Sequence, residues 1–167
     1  HVYLAIFVAI SAAVFCYTTL LSRSLDVTTY FMIMLFVMMV MVPVLTMRLL
    51  SEERKQRTEQ LLLTAPISLS SMVLAKFLAA FTVFGGSVLI TCLPAISLYL
   101  YGNPQSGILV GNLIAMVLVG GAFIAIGLFM SALTENQLAA AVATTGVLLA
   151  FLVLGFLNNY IDSYAVR

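Results

Sequence analysis

The chain has 167 residues, 63% of them hydrophobic and 8% charged, with a formal net charge of +1. Soluble domains are roughly 45–50% apolar and about 25% charged, so this is not an ordinary soluble domain. The near-neutral balance also excludes a basic nucleic-acid-binding field and an acidic disordered tail. No Asp, Glu, Lys or Arg occurs over residues 77–134 or 136–161, a distribution that a membrane protein sustains and a soluble one does not.

A helix needs about 20 apolar residues to cross a hydrocarbon core of about 30 Å. Five stretches meet that length, at about 2–21, 27–47, 77–98, 108–133 and 138–157. Each is continuously apolar rather than alternating, and lipid leaves an open sheet edge without partners, so the spans are predicted as helices. The expected fold is all-α: a polytopic transmembrane helical bundle, one domain over residues 1–167. The first stretch has no basic leading region and no small-residue cleavage site, so it reads as a span and not a signal peptide. Because the chain opens with His1 already inside an apolar run, it is expected to be a segment of a longer protein.

In the first span Cys16, and in the third Cys92, stand at no metal or redox spacing and are expected to be small buried hydrophobes. A short polar turn, "SRSLDV", follows the first span. The second span and its edge hold six of the nine methionines: Met32, Met34, Met38, Met39, Met41 and Met47. Thioethers can ligate Cu(I), but without Cys or His nearby a flexible apolar face is the better reading and no metal is expected. Pro43 and Pro94 each remove a helix hydrogen bond and are expected to produce kinks.

The link between the second and third spans is the one long polar connection. It contains Arg48, Arg54, Lys55, Arg57 and Lys76, five of the seven basic residues. The positive-inside rule places it in the cytosol. Alternation then puts the amino terminus and Glu135 inside, and Arg23, the 102–107 turn and Asp162 outside. Glu53 with Arg57 and Lys55 with Glu59 stand four apart, the spacing of helix-stabilising ion pairs. Leu61, Leu62 and Leu63 follow, Pro66 ends that helix, and Ser68 can cap a second short one that brings Lys76 to the bilayer boundary. The pattern predicts a helical elbow over 48–76 whose exposed leucines dock a protein at the membrane surface.

Chemistry of other kinds is absent from the sequence. There is no P-loop, HExxH, GxSxG or CxxC. No span carries a charged residue in its interior, which disfavours ion-coupled carriers and intramembrane enzymes. Hydroxyls and amides within the spans, Thr82, Ser87, Thr91, Asn112, Thr144 and Thr145, are expected to bond between helices. The small-residue pairs Gly107/Gly111, Gly121/Ala125 and Gly146/Ala150 are expected at close helix packing, within or between subunits.

Three stretches carry a family resemblance: "YLAIFVAISAAVF" from Tyr3, "TMRLLSEERKQRTEQLLLTAPISLSSMVLAKFLAA" from Thr46 and "GAFIAIGLFMSALTENQLAAA" from Gly121. Together they resemble the type-2 ABC transporter permeases, specifically the gliding-motility and nitrous-oxide-reductase-maturation type. The resemblance implies six spans, of which five are seen here, and pairing of two permease copies or homologues into a dimer in the bacterial cytoplasmic membrane. It also implies an export function driven by a separate cytosolic ATPase subunit. ATP and Mg belong to that partner; no cofactor is expected in this chain, and no nucleic acid among its partners.

Within the elbow, the resemblance assigns ATPase contacts to Glu52, Glu53, Arg54, Thr58, Leu62, Leu63, Pro66 and Ser68. Arg57, Gln60 and Ala75 depart from the family pattern, where Gly, Glu and Gly are usual. The second and fifth spans are implied to line the subunit interface and the path, nominating Met34, Met38, Met41, Thr144 and Thr145 for the path. The alternative reading is a membrane scaffold or regulatory subunit that docks a cytosolic protein and transports nothing.

Overall fold

Apolar runs interrupted by short polar punctuation fold into long helices, because in lipid only a helix satisfies every backbone group within its own segment. The computed structural model describes residues 2–21, 27–51, 69–101 and 106–165. Helix α1 spans Val2–Phe15 and continues as a π-helical segment, Cys16–Leu21. Helix α2 spans Val27–Thr46, α3 Leu69–Tyr101, α4 Ser106–Leu133 and α5 Gln137–Ala165. No strand occurs among the described residues. The protein is a polytopic helical bundle. Four helices are long and apolar enough to cross a membrane, and the first apolar helix, Tyr3–Thr18, is shorter.

The ends of the helices follow from local chemistry. Asn136 caps α5: its Oδ1 accepts from the Leu138 amide at 3.1 Å and its carbonyl accepts from the Ala140 amide at 3.0 Å, the Asn preference of a helix start. Helix α2 ends in a turn closed by Met47 N–H to the Pro43 carbonyl (2.9 Å) and Leu49 N–H to the Thr46 carbonyl (3.1 Å). Both prolines lie inside continuous helices. Helix α3 differs from expectation at its start. The turns holding Met72, Val73 and Lys76 are not a separate short helix but the first turns of α3 itself. No Gly or Pro interrupts residues 69–84, so nothing in the backbone breaks the helix before the apolar run begins.

Helix α2 packs against α1, α4 and α5, and α3 lies on α1 and α4. The core is aromatic and thioether: Phe7, Met34, Met38, Val42, Phe84 and Ile124 are essentially inaccessible. Phe7 meets Phe84 edge-on at 6.3 Å and stacks on Tyr3 at 6.1 Å, joining α1 to α3. Ser11 and Tyr30 share a buried hydrogen bond of 3.0 Å between α1 and α2. On the outside, Leu74, Leu89, Leu118, Leu138, Val142 and Leu154 are all more than 60% exposed. A surface of that kind suits hydrocarbon and not water.

Candidate functional site

The described residues converge at one end of the bundle, where the chain leaves α2 and re-enters as α3. This is called the proximal end below, and the opposite one distal. Met38 and Phe84 face Gly120, Thr46 faces Gly127, and the Leu50 amide reaches Ser131. The pairs between α2 and α4 advance in step, so these two helices run parallel, with α3 returning between them in sequence.

Two glycines make the approach possible. A Cβ on Gly127 would collide with Thr46, whose Cβ lies 2.8 Å from that position; a Cβ on Gly120 would collide with the Phe84 ring. Such close approach is what small residues provide in membrane bundles. It occurs at Gly120 and Gly127, outside the expected pairs. Gly121 of one pair does abut Phe81 at 3.2 Å, but Gly107, Gly111 and Gly146 have open space where a side chain would stand.

Below Gly127 the packing becomes polar. The Ser131 Oγ accepts from the backbone amides of Leu50 (3.2 Å) and Ser51 (3.1 Å) and stands 3.3 Å from the Met47 carbonyl, to which it can donate. The Ser51 hydroxyl also donates to the Met47 carbonyl. From α3, the Lys76 ammonium donates to the Leu49 carbonyl at 2.5 Å. Ser51, Thr46 and Ser131 are fully buried. Residues 47–51, the root of the 52–68 segment, are thus held by α4 through a serine and by α3 through a lysine. Beside this root, α3 and α4 leave an open apolar hollow of about 550 Å³ lined by Ser70, Val73, Leu74, Phe77, Ala125 and Leu128.

The other expected site residues fall in two groups. Glu52, Glu53, Arg54, Thr58, Leu62, Leu63, Pro66 and Ser68 lie outside the described residues, as do the expected ion pairs of the elbow. Met34 and Met38 are buried in the subunit's own core, and Met41 is half-buried against it. Thr144 and Thr145 donate to the carbonyls of Ala140 (2.7 Å) and Ala141 (2.8 Å) within α5.

That pattern corrects the expectation of hydroxyls bonding between helices. Thr82, Ser87 and Thr91 likewise bond to Ala79, Phe84 and Ser87 carbonyls of their own helix. A Ser or Thr hydroxyl reaches the carbonyl three or four residues back without any neighbour, so this local bond forms first. Cys16, expected to be buried, is an exposed free thiol; the side chain of Cys92 lies outside the described residues.

Sequence reasoning missed Ser131. It falls at the end of the expected 108–133 span, where the sequence gives it no role of its own. The signal that could have found it is its position one helical turn beyond Gly127, on the same face of α4. Among the described residues no group of His, Cys, Asp or Glu is placed to hold a metal.

Comparison with curated proteins finds no match, and neither does comparison with solved structures. The sequence model of the ABC-2 family transporter proteins matches residues 3–165, all but the ends of the chain. The chain belongs to the ABC-2 family of transporter membrane proteins.

Proposed function

We propose that this protein is the permease subunit of an ATP-driven exporter of the gliding-motility and nitrous-oxide-reductase-maturation type. It sits in a bacterial cytoplasmic membrane, pairs with a second permease copy or homologue, and takes its driving force from a separate cytosolic ATPase that alone holds ATP and Mg. The cluster of Arg48, Arg54, Lys55, Arg57 and Lys76 supports a cytosolic proximal end, by the positive-inside rule.

The observation that carries this reading is the clasp at the root. Ser131 and Lys76 tie residues 47–51 to α4 and α3, so a push on the 52–68 segment acts on three helices at once. Helix α3 runs unbroken for 33 residues from the same place, about 50 Å at 1.5 Å per residue. ATP-driven closure of the partner pushes the elbow, and the interlocked proximal ends of α2, α3 and α4 tilt as a body. A route along α2 and α5 past Met34, Met38, Met41, Thr144 and Thr145 opens only when those helices move, because Met34, Met38 and Thr144 are buried here.

Glu52, Glu53, Arg54, Thr58, Leu62, Leu63, Pro66 and Ser68 are proposed to meet the ATPase. The test is co-purification of the ATPase with the wild-type chain and with Glu53→Lys. Charge reversal is expected to abolish co-purification. Undiminished co-purification with the variant overturns the assignment of the elbow. Stimulated ATP turnover with no substrate movement favours the scaffold reading instead.

A further inference from the structure

On the distal side of Gly120, α4 carries the bulkier Met116 and Val119 beside α2. A cleft of about 230 Å³ opens between the two helices, walled by Phe31, Leu35, Met38, Met116 and Val119. Its rim includes Met32, which is 63% exposed, so the cleft opens sideways on the bundle surface. One polar group lines it. The Nδ2 of Asn112 is buried and has no hydrogen-bond partner among the described residues.

A buried amide donor without an acceptor is rare in folded proteins and calls for a partner of definite chemistry. The walls require an apolar ligand, and the amide requires that ligand to carry one acceptor. Depth narrows the choice. Helix α4 has 28 residues, about 42 Å at 1.5 Å per residue. Centred on a hydrocarbon core of about 30 Å, it projects about 6 Å at each end. Asn112 lies about 9 Å along the helix from Ser106, hence about 3 Å inside the distal boundary, within side-chain reach of the glycerolipid ester carbonyls that lie just outside the hydrocarbon core. The volume, below the roughly 300 Å³ at which small-molecule pockets begin, suits part of an acyl chain and not a whole ligand.

We propose that the cleft between α2 and α4 holds an acyl chain of a bilayer glycerolipid, whose ester carbonyl accepts a hydrogen bond from Asn112. The apolar wall gives no chain-length selectivity beyond its volume, and the single donor selects for an acceptor at the head of the chain. Because the ligand comes from the bilayer, occupancy needs neither the ATPase nor ATP.

The test uses the purified chain alone in phosphatidylcholine vesicles doped with phosphatidylcholine that carries a photoreactive diazirine on one acyl chain. Labelled residues are mapped by mass spectrometry after irradiation. Labelling is expected to concentrate on residues 31–38 and 115–119, several-fold above that on the lipid-exposed Leu89 and Leu149. Asn112→Leu is expected to reduce cleft labelling several-fold. Met116→Trp, which fills the cleft and leaves Asn112 in place, is expected to remove it as well, and covers the case in which the Asn112 variant does not fold. Labelling spread evenly over the exposed helices, or unchanged in both variants, overturns the proposal. So does efficient disulfide cross-linking between two copies of a Met32→Cys variant in the absence of cleft labelling, which assigns the cleft to a second copy.

Discussion

A single hydroxyl, that of Ser131, accepts from the backbone amides of Leu50 and Ser51, just beyond the end of α2. A backbone amide removed from water needs an acceptor, and here the hydroxyl supplies it. Ser131→Ala leaves both amides buried and unpaired, a loss of about 1–3 kcal/mol. In a protein of this size that lowers the unfolding midpoint by several degrees, about 2–4 °C per kcal/mol; a thermal scan in detergent checks it. Gly127 is the companion case. Its notch is filled by Thr46, which cannot swing aside because its Oγ1 is bonded to the Val42 carbonyl at 3.0 Å within the crowded end of α2. Gly127→Ala is expected to cost about 1–3 kcal/mol by overpacking. Adding Thr46→Ala empties the space the new methyl needs and is expected to recover most of the loss, measured as a double-mutant cycle. Little of this was legible in sequence. Within the subunit the close contacts fall at Gly120, Gly121 and Gly127, of which the small-xxx-small spacing picked out Gly121 alone, because spacing does not tell which face of a helix meets a neighbour. The hydroxyls within spans were misread for a related reason: a partner within the same helix is always in reach.

At the scale of elements the sequence spoke more clearly. Long charge-free runs and the need to satisfy the backbone in lipid dictate helices, and helices are what α2, α4 and α5 are, with starts within one or two residues of those expected. The start of α3 was missed because Ser68 and Lys76 gave a plausible cap and boundary, yet no helix-breaking residue separates Leu69 from the apolar run. The consequence is mechanical. A helix that extends two turns beyond its apolar run can act as a lever, whereas a jointed pair cannot. Ala75→Pro tests this. Proline there removes an intrahelical hydrogen bond and clashes with the carbonyl four residues back, at a cost of about 3 kcal/mol. Binding of the ATPase is expected to survive, since the 52–68 segment is untouched, while stimulation of its turnover is lost. Retention of both says that α3 transmits nothing.

Over the whole molecule, composition settled the class and the family match settled the kinship, from residue 3 to residue 165. Of the elbow, residues 52–68 lie outside those described; the structure gives their root at 47–51 and the first turns of α3. The clasp formed by Ser131 and Lys76 is built for transmission only if the proximal end faces the cytosol. In a background without Cys16 and Cys92, a cysteine at Asn103 is expected to react with a membrane-impermeant maleimide added outside, and one at Gln56 is not. Reaction at Gln56 alone inverts the topology. The central claim, that force from a partner ATPase enters through the 52–68 segment and its root, is tested most directly by the ATP turnover of the ATPase reconstituted with the chain in vesicles. The account predicts turnover stimulated by the wild-type chain and reduced to the level of the ATPase alone with Glu53→Lys. Turnover equal in the two would contradict it.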